Sequence, residues 1–222
     1  MKEILIVSII GYLMGNIQAA YLLGKALKKV DIRTMGKGNA GASNAVESLG
    51  WKFGIAVALI DILKGVLSVV LVKVLFELSL DKQGAFLLYL NGYFAILGHI
   101  YPFFMNFKGG KGTATLVGIL FGFHPLYGLI GLLVIISVTL ISDYVILGTL
   151  ALTVYVICLT VILDFGPLAL LVTSLGALLS FSLHLPNYKR IMRHQETKLS
   201  EVLHRKKPKN KRTAESQQSF CT

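Results

Sequence analysis

The sequence predicts an all-α, polytopic integral membrane protein of six to seven transmembrane helices. Three observations carry that reading. The 222 residues are 55% apolar and only 15% charged, whereas a soluble domain carries roughly 25% charged residues to cover its outside. The apolar residues fall into runs near the length, about 20 residues, that crosses a bilayer as a helix. Open strands cannot satisfy their backbone in lipid. The charges lie between and after the runs. Of 22 Lys and Arg, ten stand at or beyond Lys189 and six between Lys25 and Lys52, within a formal net charge of +11.

The elements follow in order. The first run, 4–27, is preceded by Lys2 alone and lacks a clear small-residue cleavage site, so it is a span rather than a signal peptide. Further runs cover 53–76, 84–105, 113–123, 126–142, 144–164 and 167–184. The fourth is short, and Gly118 and Gly122 blur its ends. Charge placement argues for counting it. With seven spans, 28–52, 106–112, 142–144 and the tail share one side and hold Lys28, Lys29, Arg33, Lys37, Lys52, Lys108, Lys111 and the ten tail cations. By the positive-inside rule that side is cytoplasmic, the amino terminus is outside and the carboxyl terminus inside. The domain division is 1–196, embedded in the membrane, and 197–222, a basic polar tail expected to be disordered and drawn to anionic lipid. No room remains for a separate soluble catalytic domain, so chemistry must come from span ends and loops. Gly11 with Gly15, and Gly118 with Gly122, have the spacing of close helix contacts.

Three polar clusters carry the chemistry. In Gly36-Lys37-Gly38-Asn39-Ala40-Gly41-Ala42-Ser43-Asn44 the glycines are spaced like a dinucleotide fingerprint. A membrane span precedes them where a strand is required, so an anion nest or a flexible loop remains. Lys108-Gly109-Gly110-Lys111-Gly112-Thr113-Ala114-Thr115 lacks the Ser or Thr that a P-loop needs after its lysine. Two lysines among glycines at a helix start still suit a phosphate. The third cluster, His184 to Glu196, follows the last run; its His184 and Asn187 are open to a capping or a pocket-lining role. Asp61 and Lys64, three apart within a span, are read as a buried structural pair. His99 is a capping residue near the second loop. There is no Gly-x-Ser-x-Gly elbow, no His followed five residues later by Asp, and no metal-ligand spacing. Neither Cys158 nor Cys221 suggests a disulfide framework. A covalent nucleophile or a metal is not expected.

In this order and on one face, the clusters resemble the motifs of the bacterial acyl-phosphate:glycerol-3-phosphate acyltransferase family (the PlsY type). The family's first motif, Gly-Ser-Gly-Asn-x-Gly-Ala-x-Asn, stands here as Gly36 to Asn44. Its second, Lys-Gly-Gly-Lys-Gly-x-Ala-Thr, stands as Lys108 to Thr115. Of its third, the chain keeps His184, Asn187, Arg190 and Glu196. The resemblance implies seven spans, cytoplasmic motifs in a bacterial cell membrane, and transfer of an acyl group from acyl phosphate to the 1-hydroxyl of glycerol 3-phosphate. Lysophosphatidic acid, the entry to phospholipid synthesis, is the product. No cofactor, metal or nucleic acid is implied. Membrane lipid and the enzyme that makes acyl phosphate are the partners. Lys111, His184 and Asn187 become the catalytic candidates. Asn39, Gly41, Ser43, Asn44, Lys108, Gly109, Gly110, Lys111, Gly112 and Thr115 become the phosphate-binding ones, and Arg190 and Glu196 a structural pair.

The chain departs from the family at three places. Lys37 replaces the first motif's Ser, Glu47 stands where an Arg is usual, and His194 replaces a Gly in the third motif, which also has Leu185-Pro186 in place of Arg-x. Either these losses abolish activity, or Lys37 supplies the cation that position 47 lacks. Two other classes therefore stay open: a degenerate paralogue that binds lipid phosphate or a partner, and a small anion or lipid transporter using Asp61 and Lys64.

Overall fold

The computed structural model describes residues 1–204, which form helices and connecting loops with no strand among them. α1 (Lys2–Gly15) stops inside the first apolar run, and α2 (Ala19–Leu23) resumes it, running on into a π-helical turn at Gly24–Lys28. Such a break leaves carbonyls that lipid cannot hydrogen-bond. Lys64 repairs it: its Nζ donates to the carbonyls of Gly15 (3.2 Å) and Ile17 (2.6 Å). Gln18 Nε2 donates to the carbonyls of Gly15, Gly98 and His99. Asp61, 2.8 Å from Lys64 Nζ, balances the charge, and His99 Nδ1 lies 2.7 Å away as the acceptor.

After a single 3-10 turn at Ile32–Thr34 comes α3 (Ala42–Leu49). Gly50, at φ 92°, turns it into α4 (Trp51–Leu75). Along α4, Leu59, Leu63, Leu67 and Leu71 recur every fourth residue and are 47–61% exposed. That is one helical stripe, and an apolar stripe of this length is at home only in lipid. α5 (Lys82–Ile100) starts on Asp81, whose carboxylate accepts from the Gly84 N–H at 2.8 Å. A 3-10 turn at Phe103–Met105 leads to α6 (Thr113–Phe123), α7 (Pro125–Ser142), α8 (Val145–Ile162) and α9 (Pro167–Met192).

Six segments are long and apolar enough to cross a bilayer: Lys2–Lys28, Trp51–Leu75, Lys82–Met105, Pro125–Ser142, Val145–Ile162 and Pro167–Met192. The expected seventh, α6, has 11 residues and rises about 16 Å, half the roughly 30 Å of hydrocarbon. It starts deep rather than at the surface. Its Gly118 packs on the Ile62 carbonyl and Gly122 on Val69, both well along α4. At its end, the Phe123 carbonyl accepts from Lys73 in the last turn of α4 (3.1 Å). The chain before it runs beside α5 as a non-helical glycine stretch, so only part of the expected seventh span is helix. Gly11 and Gly15 bring α1 against the carbonyls of Asn91 and Ala95 on α5 in the same way.

One correction concerns the carboxyl-terminal part. The third cluster does not follow the last span. α9 continues through Pro186 to Met192, so His184, Asn187 and Arg190 lie on the helix itself. The tail opens with a short helix, α10 (Leu199–His204); the disorder expected of its remainder falls on residues outside the described ones. The Ser200 N–H and Oγ bond the carboxylate of Asp143 at 2.8 and 2.6 Å, in the turn between α7 and α8. Residues 205–222 lie outside the described residues.

The core lies at two levels. The larger cluster sits between the spans, with Tyr89, Phe123 and Phe165 in mutual ring contact. A smaller one, including Ile32, Ala40, Ala45, Phe53, Val57 and Met105, underlies the two loops of the polar face and fixes them on the bundle. On the opposite face Lys82 pairs with Asp164 at 2.8 Å.

Candidate active site

The second loop is built by close approach. The Gly109 N–H donates to the Ile100 carbonyl (2.9 Å) and the Gly110 N–H to the His99 carbonyl (3.1 Å), capping the end of α5. A Cβ on Gly109 would strike the His99 carbonyl, and one on Gly110 would strike the His99 ring. Those two glycines therefore spend their N–H groups on the fold. The N–H groups of Lys111 and Gly112 make no hydrogen bond among the described residues. Gly112 adopts φ 83°, a left-handed conformation that favours glycine, and hands the chain to α6. The loop thus offers an anion its last two N–H groups, the first turn of α6, and a lysine.

The first loop is folded by one side chain. Asn44, 1% exposed, donates through Nδ2 to the carbonyls of Ile32, Met35 and Asn39 and accepts the Lys37 N–H through Oδ1. Asn39 Oδ1 accepts the Gly41 N–H at 3.0 Å. Both asparagines hold loop backbone in this arrangement, while Ser43 is exposed in the first turn of α3. The two loops are joined directly: the Ala40 N–H donates to the Gly109 carbonyl (3.1 Å), and Arg33 donates to the Met105 carbonyl (2.8 Å) while paired with Asp31. The hydrogen bond from Arg33 holds the Asp31 carboxyl below its ordinary range, against the opposing effect of burial.

The third cluster is placed by the end of α9. His184 and Asn187, one turn apart and therefore on one face, are 2% and 3% exposed. His184 Nδ1 lies 2.8 Å from the Ser180 carbonyl. A carbonyl only accepts, so Nδ1 carries the hydrogen and Nε2 of the neutral ring is left as an acceptor. The helix ends in a Schellman turn, with Gln195 N–H on the Arg190 carbonyl (2.8 Å) and His194 N–H on the Ile191 carbonyl (2.9 Å). His194 occupies the left-handed position of that turn at φ 54°. The family motif's glycine at this place has a plain backbone reason.

The turn folds Glu196 back onto the helix. Its Oε2 accepts from Arg190 Nε (2.6 Å), and its Oε1 accepts from Asn187 Nδ2 (2.8 Å) and Lys37 Nζ (2.8 Å). Burial would raise the Glu196 carboxyl, but the hydrogen bonds from Lys37, Asn187 and Arg190 prevail and hold it below the ordinary carboxylate range. Asn187 Oδ1 faces Lys111 Nζ in a short hydrogen bond. Lys37 Nζ also lies 2.9 Å from Glu47. Thus Lys37, Glu47, Lys111, Asn187, Arg190 and Glu196 form one connected network across all three clusters. Lys108 stands exposed at the rim, and Thr115 is fully buried in α6.

Below Lys111 opens an apolar groove between α5, α6, α8 and α9. Tyr93, Ile96 and Leu116 line it, with Thr149, Thr153, Gly176 and Ser180 on the far wall. Tyr89 stands at its deep end, its hydroxyl 3.1 Å from Thr160 Oγ1. Sequence reasoning named none of these lining residues. They are ordinary span residues, and only the packing of α8 and α9 against α5 makes them a groove. The Arg33 link between the loops was likewise missed, although Asp31-x-Arg33 at a span end was visible. A site with cations and unpaired N–H groups at its mouth and an apolar channel beneath suits a molecule with an anionic head and a hydrocarbon chain.

Known proteins agree with that arrangement. A family model described as glycerol-3-phosphate acyltransferase matches residues 5–194. Glycerol-3-phosphate acyltransferase 1 of Oceanobacillus iheyensis is 40% identical over 205 residues, which cover 90% of this chain and 97% of that one. A glycerol-3-phosphate acyltransferase of Thermoanaerobacter pseudethanolicus is 37% identical over 194 residues, covering 87% and 94%. A crystal structure of PlsY (YgiH), an integral membrane glycerol 3-phosphate acyltransferase in its glycerol 3-phosphate form, is similar with TM-score 0.80 and 32% identity. It covers 91% of this chain and 99% of that one. The lysophosphatidic acid form gives TM-score 0.77 and 30% identity over the same shares. The chain belongs to the glycerol-3-phosphate acyltransferase family.

Proposed function

We propose that this protein transfers an acyl group from acyl phosphate to the 1-hydroxyl of glycerol 3-phosphate, giving lysophosphatidic acid, on the cytoplasmic face of a bacterial cell membrane. The observation that carries the reading is the position of Lys111. Its ammonium is held by Asn187 where the polar face meets the apolar groove. The phosphate of the donor lies at Lys111 and the free N–H groups of α6, and its acyl chain runs down the groove. Lys108 at the rim and the first turn of α3 receive the phosphate of glycerol 3-phosphate.

The chemistry is modest because acyl phosphate is a mixed anhydride with a good leaving group. His184 Nε2 accepts the proton of the attacking hydroxyl. The hydroxyl oxygen bonds the acyl carbon, the bond to the phosphate oxygen breaks, and inorganic phosphate leaves with the electron pair. Lys111 and the helix N–H groups stabilise the charge that gathers on it. His184 then returns its proton to phosphate. Holding two anionic substrates together supplies the remainder. The enzyme that makes the reactive donor is the partner this chemistry calls for. The test is purified protein in lipid with labelled glycerol 3-phosphate and acyl phosphate, acyl-CoA or acyl-carrier protein as donor. Transfer from acyl phosphate alone, abolished by Lys111→Ala, is expected. No transfer from acyl phosphate, under conditions where a typical family member works, overturns the reading.

A further inference from the structure

Lys37 and Glu47 both depart from the family pattern, and the structure joins them. Lys37 Nζ lies 2.9 Å from Glu47 and 2.8 Å from Glu196, and the side chain is 25% exposed. Two carboxylates thus share one ammonium. One of them, Glu196, accepts the Asn187 amide through the same Oε1 that faces Lys37. An amide offers hydrogens at one end and an oxygen at the other. With Nδ2 committed to Glu196, its oxygen must turn away, towards Lys111. Lys37 has no task in the fold of its own loop, because its backbone N–H, not its side chain, is held by Asn44.

We propose that Lys37 is a positioning residue: it fixes Glu196, and through it the Asn187 amide that aims Lys111, with Glu47 bracing Lys37 from α3. The cation that ties the first cluster to the third thus sits at position 37 in this chain, and Glu47 has become its counter-charge. The proposal rests on the acyltransferase reading for its kinetic consequences only; the brace is a feature of the fold.

Removing the ammonium does more than delete a bond. Glu47 and Glu196 both face the same small volume, and without Lys37 their like charges repel. Arg190 still holds Glu196 Oε2, so Glu196 rotates about that contact and releases Asn187. The amide is then free to turn its hydrogens towards Lys111. The sign of the damage follows: the aim of Lys111 is lost, while the groups that contact the substrates remain.

The experiment measures kcat and both KM values in lipid, together with thermal unfolding, for Lys37→Met, Lys37→Arg and the double variant Lys37→Met with Glu47→Gln. Lys37→Met should lower kcat roughly ten- to a hundredfold, as small misplacement of a reacting group does, with either KM changed less than about twofold. Lys37→Arg should keep most activity. Neutralising Glu47 should recover much of the kcat and the melting temperature that Lys37→Met loses, because the repulsion goes with it. A raised KM with unchanged kcat would mean that Lys37 touches substrate itself and would overturn the proposal. So would wild-type kinetics for Lys37→Met, or no recovery in the double variant. If wild-type protein transfers nothing while the unfolding data show loss and recovery, the acyltransferase reading falls and the brace stands; if they do not, the brace falls as well.

Discussion

At the scale of single residues, several side chains act on backbone rather than on ligand. Asn44 illustrates it: every polar atom of its side chain is engaged with the first loop, so its value is the loop's shape. His194 is the converse, a side chain where the backbone wants none. Holding it at φ 54° costs energy that glycine would not spend. His194→Gly should therefore raise stability by about 1 kcal/mol, read as a higher unfolding midpoint with unchanged kcat. Glu196 sets a pH limit. Its carboxyl is held below the ordinary range, so its contribution is complete above the unfolded value, about 4.3, and is lost as pH falls through the lower folded value. Acid titration of unfolding should show that loss in the wild type and a flatter acid limb in Glu196→Gln, whose stability at neutral pH is already reduced.

At the scale of elements, the broken first span and the composite seventh span are complementary. Both put non-helical backbone at membrane depth, and both are sealed by protein: the first by Lys64 and Gln18, the second by the end of α5. Because Lys64 completes a helix break, Lys64→Met takes the ammonium from Asp61 and from the Ile17 carbonyl and leaves the Gly15 carbonyl to Gln18 alone. A loss of about 3–5 kcal/mol is expected, visible as a large drop in melting temperature. A transporter using the pair would instead keep its fold and lose flux. The groove makes a separate prediction. Tyr89 closes its deep end, so Tyr89→Ala should shift the preferred acyl phosphate to longer chains, checked with a chain-length series at fixed glycerol 3-phosphate. The runs of 53–76, 126–142 and 144–164 were legible because an uninterrupted apolar run has few alternatives. The break at Asn16–Gln18 was not, since Lys64, which does most to repair it, lies 47 residues from Ile17 and 49 from Gly15 in sequence. The end of α9 was misplaced because composition turns polar at His184 while helical geometry continues to Met192. The apolar criterion reports burial in lipid, not helix length.

At the scale of the whole molecule, the three motifs meet on one face, and Lys82 with Asp164 marks the other. The proposed function puts the motif face in the cytoplasm, the side that the positive-inside rule favours for it. A cysteine introduced at the exposed Ser43 should therefore react with an impermeant reagent only from the cytoplasmic side, and one at Asp164 only from outside. The meeting of the three clusters was legible, because their cations fall on one side of the spans. Their division of labour was not. Whether an N–H or an amide is free for a ligand depends on what has already claimed it, and those claims come from α5 and from the far end of α9.

The descent of the second loop beside α5 has one more consequence. It carries Lys111 to the upper end of a channel that opens among lipid-facing helices. With its hydrocarbon tail in that channel, as proposed, the donor never needs to be drawn up into water, and the small soluble acceptor makes the journey instead. On the proposed reading the protein acts as a landing stage: it brings an aqueous reactant to the bilayer rather than extracting an oily one, and its product starts life already moored in the membrane.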